Sequence, residues 1–334
     1  MKVKYSYLDE QFFDVDQYFK ELRELVLSGE FTFGLYVKAF EHDFAQFLGV
    51  KHAIGTNNGT EALILSLKSL GIGPGDEVIT VVNTFYATVG AIVATGAKPV
   101  FIDTDERYSM NVEQIEKAIT KRTKAILPVH WAGMPVDIHS ILEIANKYGL
   151  AVIEDACPAA GATIDGKLVG SFGRISVFSM HPLKPLNVWG DGGVIATNDD
   201  QLMSWIRVYQ NHGMIDRDHI SMWGINTRLQ PVQAVVARRL LPKVQKANDL
   251  RIKNAQLLDR GLSSLSEFVK VPHRSPKYKE VYQLYIVRVK QRDDLLKYLH
   301  SKEIEAKIHY PLPLHLQKAA EPLGYKRGDF PNAE

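Results

Sequence analysis

Apolar positions along the chain follow two alternating rhythms. Short runs rich in Val and Ile are separated by stretches in which apolar residues recur three and four positions apart. Ala53–Asn57 is a predicted strand, and Thr60–Leu70 (TEALILSLKSL) a predicted helix. A Gly-Pro-Gly-Asp turn then leads to a strand over Glu77–Val82. A helix near Thr84–Thr95, a strand over Pro99–Asp103 and a helix capped by Asn111 continue the series. The strand Ala125–His130 and the helix Ile138–Tyr148 repeat the unit. Leu150–Asp155 is nearly continuously apolar, as a strand covered on both faces should be. From Arg174 the rhythm changes to strand-turn-strand, RISVFSM and then GVIAT after a loop through Gly193, which predicts an antiparallel strand in a mostly parallel sheet. A long helical stretch over Pro231–Leu262 precedes a last strand and helix, Tyr282–Val289 and Asp293–Lys302. The expected fold is α/β: a three-layer α/β/α large domain over residues 1–245, then a smaller α+β domain over residues 246–334.

Ligands of open α/β sheets bind beyond the carboxyl ends of the strands. The polar residues at those predicted ends are Asn57–Gly59, His130, Asp155 and Ser179, distant in sequence and convergent in such a fold. Gly59–Thr60 would open a helix with free N–H groups and a positive dipole end, which suits a phosphate. The same residues also read as an ordinary strand–helix turn capped by Thr60. Neither a Walker A loop nor a GxGxxG fingerprint is present. Asp155 ends an apolar strand, so its carboxylate should be partly desolvated and need a cation or strong donor. Lys184 lies in SMHPLKPLNVWGDGG, between prolines 182 and 185 and ahead of a flexible GDGG turn. An amine held in such a loop can attack carbonyls. A phosphate anchor, an acid for a ring nitrogen and an amine for an aldehyde are together the requirements of pyridoxal 5′-phosphate.

Composition narrows the partners. Forty Lys and Arg against 38 Asp and Glu give a net charge of +2, which argues against nucleic acid or a membrane surface as partner. Of the 334 residues, 46% are hydrophobic and 23% charged, the balance of an ordinary globular protein. The one cysteine, Cys157, excludes an internal disulfide and a thiolate zinc cage, and no metal is expected. The start, MKVKYSYLDEQFFD, lacks the apolar core of a secretory signal, and no window approaches a membrane span, so a cytoplasmic protein is expected.

The chain resembles the DegT/DnrJ/EryC1/StrS family of sugar aminotransferases along essentially its whole length. The likeness rests on ordered blocks: LVLSGEFTFGLYVKAFEHDFAQFLGVKHAIGTNNGTEAL, GDEVITVVNTFYATVGAIVATGAKPVFIDTD, LPVHWAGMPVDIHSI, AVIEDACPAAGA, VGSFGRISVFSMHPLKPLNVWGDGGVIATND, GINTRLQPVQAVVA and IHYPLPLHLQ. The resemblance implies the fold-type-I architecture of pyridoxal-phosphate enzymes and a homodimer with shared active sites. By matched position, Lys184 would form the Schiff base with the cofactor and Asp155 would bind its pyridine nitrogen. Phe85 would stack on the ring, while Gly59, Thr60 and Ser179 would hold the phosphate and Asn226 would reach it across the dimer. His309, Tyr310 and His315 are candidates for the sugar or its phosphates.

The implied reaction moves an amino group from an amino acid, expected to be L-glutamate, to a keto sugar in two half-reactions. GDGG after the lysine points to a nucleotide-linked 3-keto sugar; a 4-keto nucleotide sugar, a keto sugar phosphate and a keto-cyclitol stay open. A regulator that binds the cofactor without catalysis is the rival from another class. Retention of Lys184 disfavours the dehydrating branch of the family. Pro158 stands where Gln or His usually meets the cofactor's 3-hydroxyl, with His130 and His181 as candidate substitutes, and Gln230 stands where an acid is common. Cys157 reads as a small buried residue. The chain stops at GDFPNAE, where the family continues through another strand and helix, so an incomplete small domain is expected.

Overall fold

Seven strands form the centre of the computed structural model, which describes residues 1–334. Helices α1 (Leu8–Gln11), α2 (Val15–Ser28) and α3 (Gly34–Leu48) lead to β1 (His52–Thr56). Next come α4 (Gly59–Ser69), β2 (Glu77–Val81), α5 (Tyr86–Ala94), β3 (Lys98–Ile102), α6 (Ile115–Ala118) and β4 (Thr123–Leu127). Then α7 (Ile138–Tyr148), β5 (Ala151–Asp155), a hairpin of β6 (Thr163–Ile164) and β7 (Lys167–Leu168), β8 (Ile175–Ser179) and β9 (Gly193–Thr197) follow. The rest is α8 (Asp200–Tyr209), α9 (Pro231–Leu240), α10 (Val244–Leu262), β10 (Val269–Lys270), β11 (Tyr278–Lys279), β12 (Arg288–Val289) and α11 (Arg292–Ser301).

The sheet order is β1-β9-β8-β5-β4-β2-β3. Pairs β2–β3, β2–β4, β4–β5 and β5–β8 are parallel, and β9 runs antiparallel to both neighbours. The fold is therefore α/β with a mostly parallel sheet, and the inserted antiparallel strand is where the strand-turn-strand pattern put it. Every residue of β2 and of β9 is buried, as apolar strands sandwiched by helices must be. The main core of 61 buried residues runs from Tyr18 in α2 to Val281, so the N-terminal helices share it with the sheet. A separate cluster, Val82, Phe101, Leu314 and Phe330, fastens the last segment of the chain to the β2–β3 edge.

Gly193 opens β9 against the turn that leaves β1. A Cβ there would lie 2.5 Å from the Asn58 carbonyl oxygen and 2.5 Å from Thr56 Oγ1, so only glycine allows this approach.

Several local expectations are corrected. The stretch over Pro231–Leu262 is not one helix, because Pro242 has no N–H to continue the ladder and a 3₁₀ turn over Leu241–Lys243 separates α9 from α10. Asn111 caps a 3₁₀ turn, Val112–Gln114, ahead of the single-turn α6. Tyr282–Val289 is strand only at Arg288–Val289, which pairs with β10. Before that, Val281 N–H donates to the Gly133 carbonyl and Leu284 N–H to that of Ala132, so the segment lies on an irregular turn rather than on another strand. The division at residues 245/246 falls just inside α10.

His130, expected at the ligand edge, is fully buried beneath it. Its Nδ1 accepts from Val136 N–H (3.2 Å), which leaves Nε2 to donate to Glu154 (3.0 Å). The Glu154 carboxylate also accepts from the N–H groups of Gly170, Phe172 and Gly173 at 2.7, 2.8 and 2.6 Å. Burial pushes the Glu154 carboxyl up, but donation from His130 and the Gly173 and Gly170 amides outweighs it and holds the group below its usual 4.5. A carboxyl depressed in the folded state stabilises it above the unfolded value, and that contribution is lost as pH falls through the folded one. Glu154→Gln is therefore expected to cost about 3–5 kcal/mol and to flatten the loss of stability below pH 4.5, measured by urea denaturation across pH.

Candidate active site

The site is built where β1, β5 and β8 end. After β1 the chain turns through Asn57 and Asn58 into α4. Asn58, not Thr60, is the cap: its side chain accepts from Glu61 N–H (2.9 Å), and its carbonyl takes the first helical bond, from Ala62 (3.1 Å). The N–H groups of Gly59 and Thr60 are left without an acceptor at the positive end of α4. A Cβ on Gly59 would come within 2.8 Å of Ser179 Cβ and 3.2 Å of Cys157 Sγ. Glycine thus lets the helix terminus touch the ends of β8 and β5.

Asp155 closes β5 and is 4% exposed. Its Oδ2 accepts from the Thr88 hydroxyl (2.8 Å), and Oδ1 accepts from Cys157 N–H (3.2 Å). Thr88, on the buried face of α5, lies 2.8 Å, oxygen to oxygen, from Thr84 in the turn that precedes the helix. Phe85 follows Thr84, and half of it (51%) faces outward. Its ring packs on Tyr86 (5.0 Å), Tyr86 on Tyr310 (6.0 Å) and Tyr310 on His309 (5.1 Å), which carries an aromatic row from α5 to the C-terminal segment. Burial raises the Tyr310 hydroxyl to about 12; the neighbouring Trp131 opposes the rise, and the charge of Asp155 adds to it. Tyr310 is thus within the field of Asp155.

Lys184 lies half-buried on the loop from β8 to β9. Its charge acts on two groups on different elements. Burial and the Asp155 carboxylate push the Cys157 thiol well above its usual range, against the opposing pull of Lys184. Burial lowers His309, and the charges of Lys307 and Lys184 lower it further. The lysine charge is thus felt both at Cys157, beside Asp155, and at His309, beside Tyr310. So high a thiol, with no base beside it, is no nucleophile.

An acidic floor, a lysine above it and two free amides at a helix terminus make a site for a phosphorylated cofactor that condenses with amines. The sequence model of the DegT/DnrJ/EryC1/StrS aminotransferase family matches residues 14–334. The chain belongs to that family. It is a pyridoxal-phosphate-dependent aminotransferase. It is 41% identical over 315 residues to the pleiotropic regulatory protein of Geobacillus stearothermophilus, covering 94% of this chain and 85% of that one. It is also 41% identical over 314 residues to the UDP-N-acetyl-3-dehydro-alpha-D-glucosamine 3-aminotransferase of Acidithiobacillus ferrooxidans, covering 91% and 85%. The crystal structure of S. venezuelae DesV in complex with a ketimine intermediate superposes with a TM-score of 0.96 at 35% identity, covering 99% of this chain and 90% of that one. The aminotransferase therefore has the expected fold of pyridoxal-phosphate enzymes.

The residues of this family member fit the cofactor: the notch at Gly59 and its two unclaimed amides suit a phosphate, and the buried Asp155 suits a protonated ring nitrogen. Gly59, Thr60, Asp155, Ser179 and Lys184 gather at one edge, with Phe85, His309 and Tyr310 along the aromatic row beside it. Asn226 is exposed; its Oδ1 accepts from Arg228 Nε (2.8 Å), while the neighbouring Thr227 carbonyl accepts from Asn57 N–H (3.1 Å) and holds the segment beside the turn into α4.

Three histidines lie elsewhere or are engaged. His315 is 2% exposed, packed on Phe330 (4.8 Å) and paired with Glu334 (2.9 Å) in the cluster at the β2–β3 edge. His130 has both ring nitrogens occupied below the floor and cannot stand in for the side chain that Pro158 lacks. His181 is exposed, and its Nδ1 accepts from Leu183 N–H (3.2 Å). Nothing in the sequence singled out Thr88, Tyr86 or Trp131. For Thr88 a signal existed in the Thr84-x-x-x-Thr88 spacing, which would put two hydroxyls on one face of the helix predicted near Thr84–Thr95; the helix begins at Tyr86, yet the two hydroxyls still meet.

Proposed function

We propose that this aminotransferase moves an amino group from L-glutamate to a nucleotide-linked 3-keto sugar in two half-reactions at a single site. The reading is supported by the neighbouring strand ends: Asp155 closes β5 beside β8, the Lys184 loop leaves the end of β8, and Gly59, whose amide and that of Thr60 are free, packs against Ser179. Pyridoxal phosphate, when bound, supplies an aldehyde for amines and a ring that withdraws electrons from the substrate Cα. In this reading Gly59, Thr60 and Ser179 hold its phosphate and Phe85 covers one face of its ring. Asp155, steadied by Thr88 and the Cys157 amide, keeps a proton on the ring nitrogen. Lys184 Nζ takes the proton from the substrate Cα and returns it on the other side of the transfer. His309 and Tyr310 form the wall that meets the sugar, and His315 serves only the packing of the C-terminal segment.

The preference for position 3 draws support from the GDGG after Lys184 and from relatives whose names specify 3-amino or 3-oxo sugars, including the dTDP-3-amino-3,4,6-trideoxy-alpha-D-glucose transaminase of Streptomyces venezuelae. A homodimer belongs to the same reading. Phe31, Leu35, Ile215 and Trp223 are 56, 69, 61 and 88% exposed, apolar side chains that a second copy would cover. Arg228 lies over the Phe33 ring (5.4 Å), which ties the segment that carries Asn226 to the one that carries Phe31 and Leu35. No helix is long and apolar enough to cross a membrane, and a cytoplasmic location is part of the proposal.

The test is a panel of 3-keto and 4-keto nucleotide sugars, keto sugar phosphates and keto-cyclitols with glutamate, read by mass spectrometry. Amination of a 3-keto nucleotide sugar is expected. Turnover of 4-keto substrates alone would refute the position, and failure of glutamate to change the cofactor's visible band would refute the donor.

A further inference from the structure

The loop that carries Lys184 is gripped from an unexpected direction. Both peptide groups flanking the Lys184 Cα are anchored: its N–H donates to the His181 carbonyl (2.9 Å), and its carbonyl accepts from Asn187 Nδ2 (3.1 Å). Pro185 further confines the Lys184 backbone to extended conformations. Asn187 is 3% exposed, and Gln11 satisfies the rest of its amide from the end of α1. Asn187 Nδ2 donates to Gln11 Oε1 (3.2 Å), and Gln11 Nε2 donates to Asn187 Oδ1 (3.3 Å). Beside this pair, Trp189 packs on Phe12 (5.6 Å), Tyr18 (5.4 Å) and Phe19 (6.0 Å).

The other end of the same N-terminal arm holds the opposite wall of the cleft. Val3 N–H donates to the Glu303 carbonyl (3.1 Å), and Glu305 N–H donates to that of Val3 (2.9 Å). Tyr5 stacks on His309 with ring centroids 6.1 Å apart and planes 6° from parallel.

We infer that Gln11 and Asn187 form an amide clasp that positions Lys184 for proton transfer, so that the N-terminal arm is a working part of the active site. The inference rests on Lys184 being the reacting amine. The lysine side chain is long and mobile, so its reach to the substrate Cα is set by the direction in which Cα–Cβ leaves the backbone. The clasp fixes that direction through the carbonyl. Breaking it leaves Asn187 buried with an unmet donor and acceptor, and the Lys184 peptide turns to compensate. Gln11 and Asn187 touch no reacting atom and are positioning residues.

The holoenzyme carries the test, with Gln11→Met, Asn187→Leu and the double variant. Three quantities are followed: the single-turnover rate at which glutamate converts the cofactor's visible band, the glutamate concentration for half-saturation, and the pH midpoint of the band. Gln11→Met, at a half-buried position and close in length to the native side chain, is expected to slow the conversion about tenfold and to move the pH midpoint, with half-saturation little changed. The double variant should be no slower than the worse single one, because the clasp acts as a unit. Unchanged rate and midpoint in Gln11→Met, or effects that multiply in the double variant, would overturn the clasp. Lys184→Ala runs alongside. A band that survives in it sinks the assignment of the lysine and the clasp with it; a band that vanishes while Gln11→Met is silent sinks the clasp alone.

Discussion

Lys184→Ala is expected to lower turnover on the order of 10⁴-fold and to abolish the protein's visible absorbance band. The size follows from the two tasks of one amine: it condenses with the cofactor at rest and carries the Cα proton during transfer. Nothing nearby can replace it. The Cys157 thiol is held protonated by burial and by Asp155, and the imidazole of His309 cannot condense with an aldehyde. Lys184→Arg should be almost as damaging, since a guanidinium keeps the charge but not a free amine. Steady-state kinetics with added primary amines provides the check. A small amine that restores part of the Lys184→Ala rate would show that the missing element is the amine itself, whereas a variant within about tenfold of the wild type would remove Lys184 from the chemistry.

Asp155→Ala is expected to lower kcat by about 10²–10³-fold, the usual worth of a preorganised charge opposite one that develops in the transition state. The carboxylate is buried, close to the end of β5, and held by two donors, so it need not reorganise during the reaction. Loss of one of those donors should cost less: Thr88→Val is expected to reduce kcat about tenfold through the orientation of Asp155. The ordering of the two variants in stopped-flow half-reactions is the informative result. Equal losses, or a larger loss in Thr88→Val, would mean that the hydroxyl rather than the carboxylate carries the effect.

Much of the large sheet was legible because its strands are buried on both faces and so read as apolar runs. Asp155 stood out for the complementary reason, a charge at the end of such a run. The cap of α4 was misread because Asn58 and Thr60 are both capping residues. Spacing decides between them: Asn58 lies three residues ahead of Glu61, whose amide it receives. Tyr282–Val289 has the composition of a strand, yet a strand needs a partner, and composition cannot say that the 132–133 turn would take its hydrogen bonds. His315 looked like a ligand because it sits near His309 and Tyr310 in sequence. Its burial depends on Glu334 and Phe330, and no local pattern announces such contacts. Gln11 and Asn187 are distant polar residues of ordinary type and were invisible for the same reason.

The antiparallel strand β9 has a consequence for the order in which the enzyme assembles. It closes the sheet by pairing His52–Thr56 with Gly193–Thr197, a contact that spans most of the large sheet's sequence. Such long-range pairing forms late, because the intervening loop must be closed before it is rewarded. The turn at Gly59 is among the first parts of the site to leave the ribosome; the Lys184 loop, which leads directly into β9, follows only after β8, and the His309–Tyr310 wall later still. The early half of the site therefore waits, open, for the late half. Capture of the cofactor is correspondingly a terminal event in maturation, and a nascent chain stalled before β9 has no completed site in which to retain it.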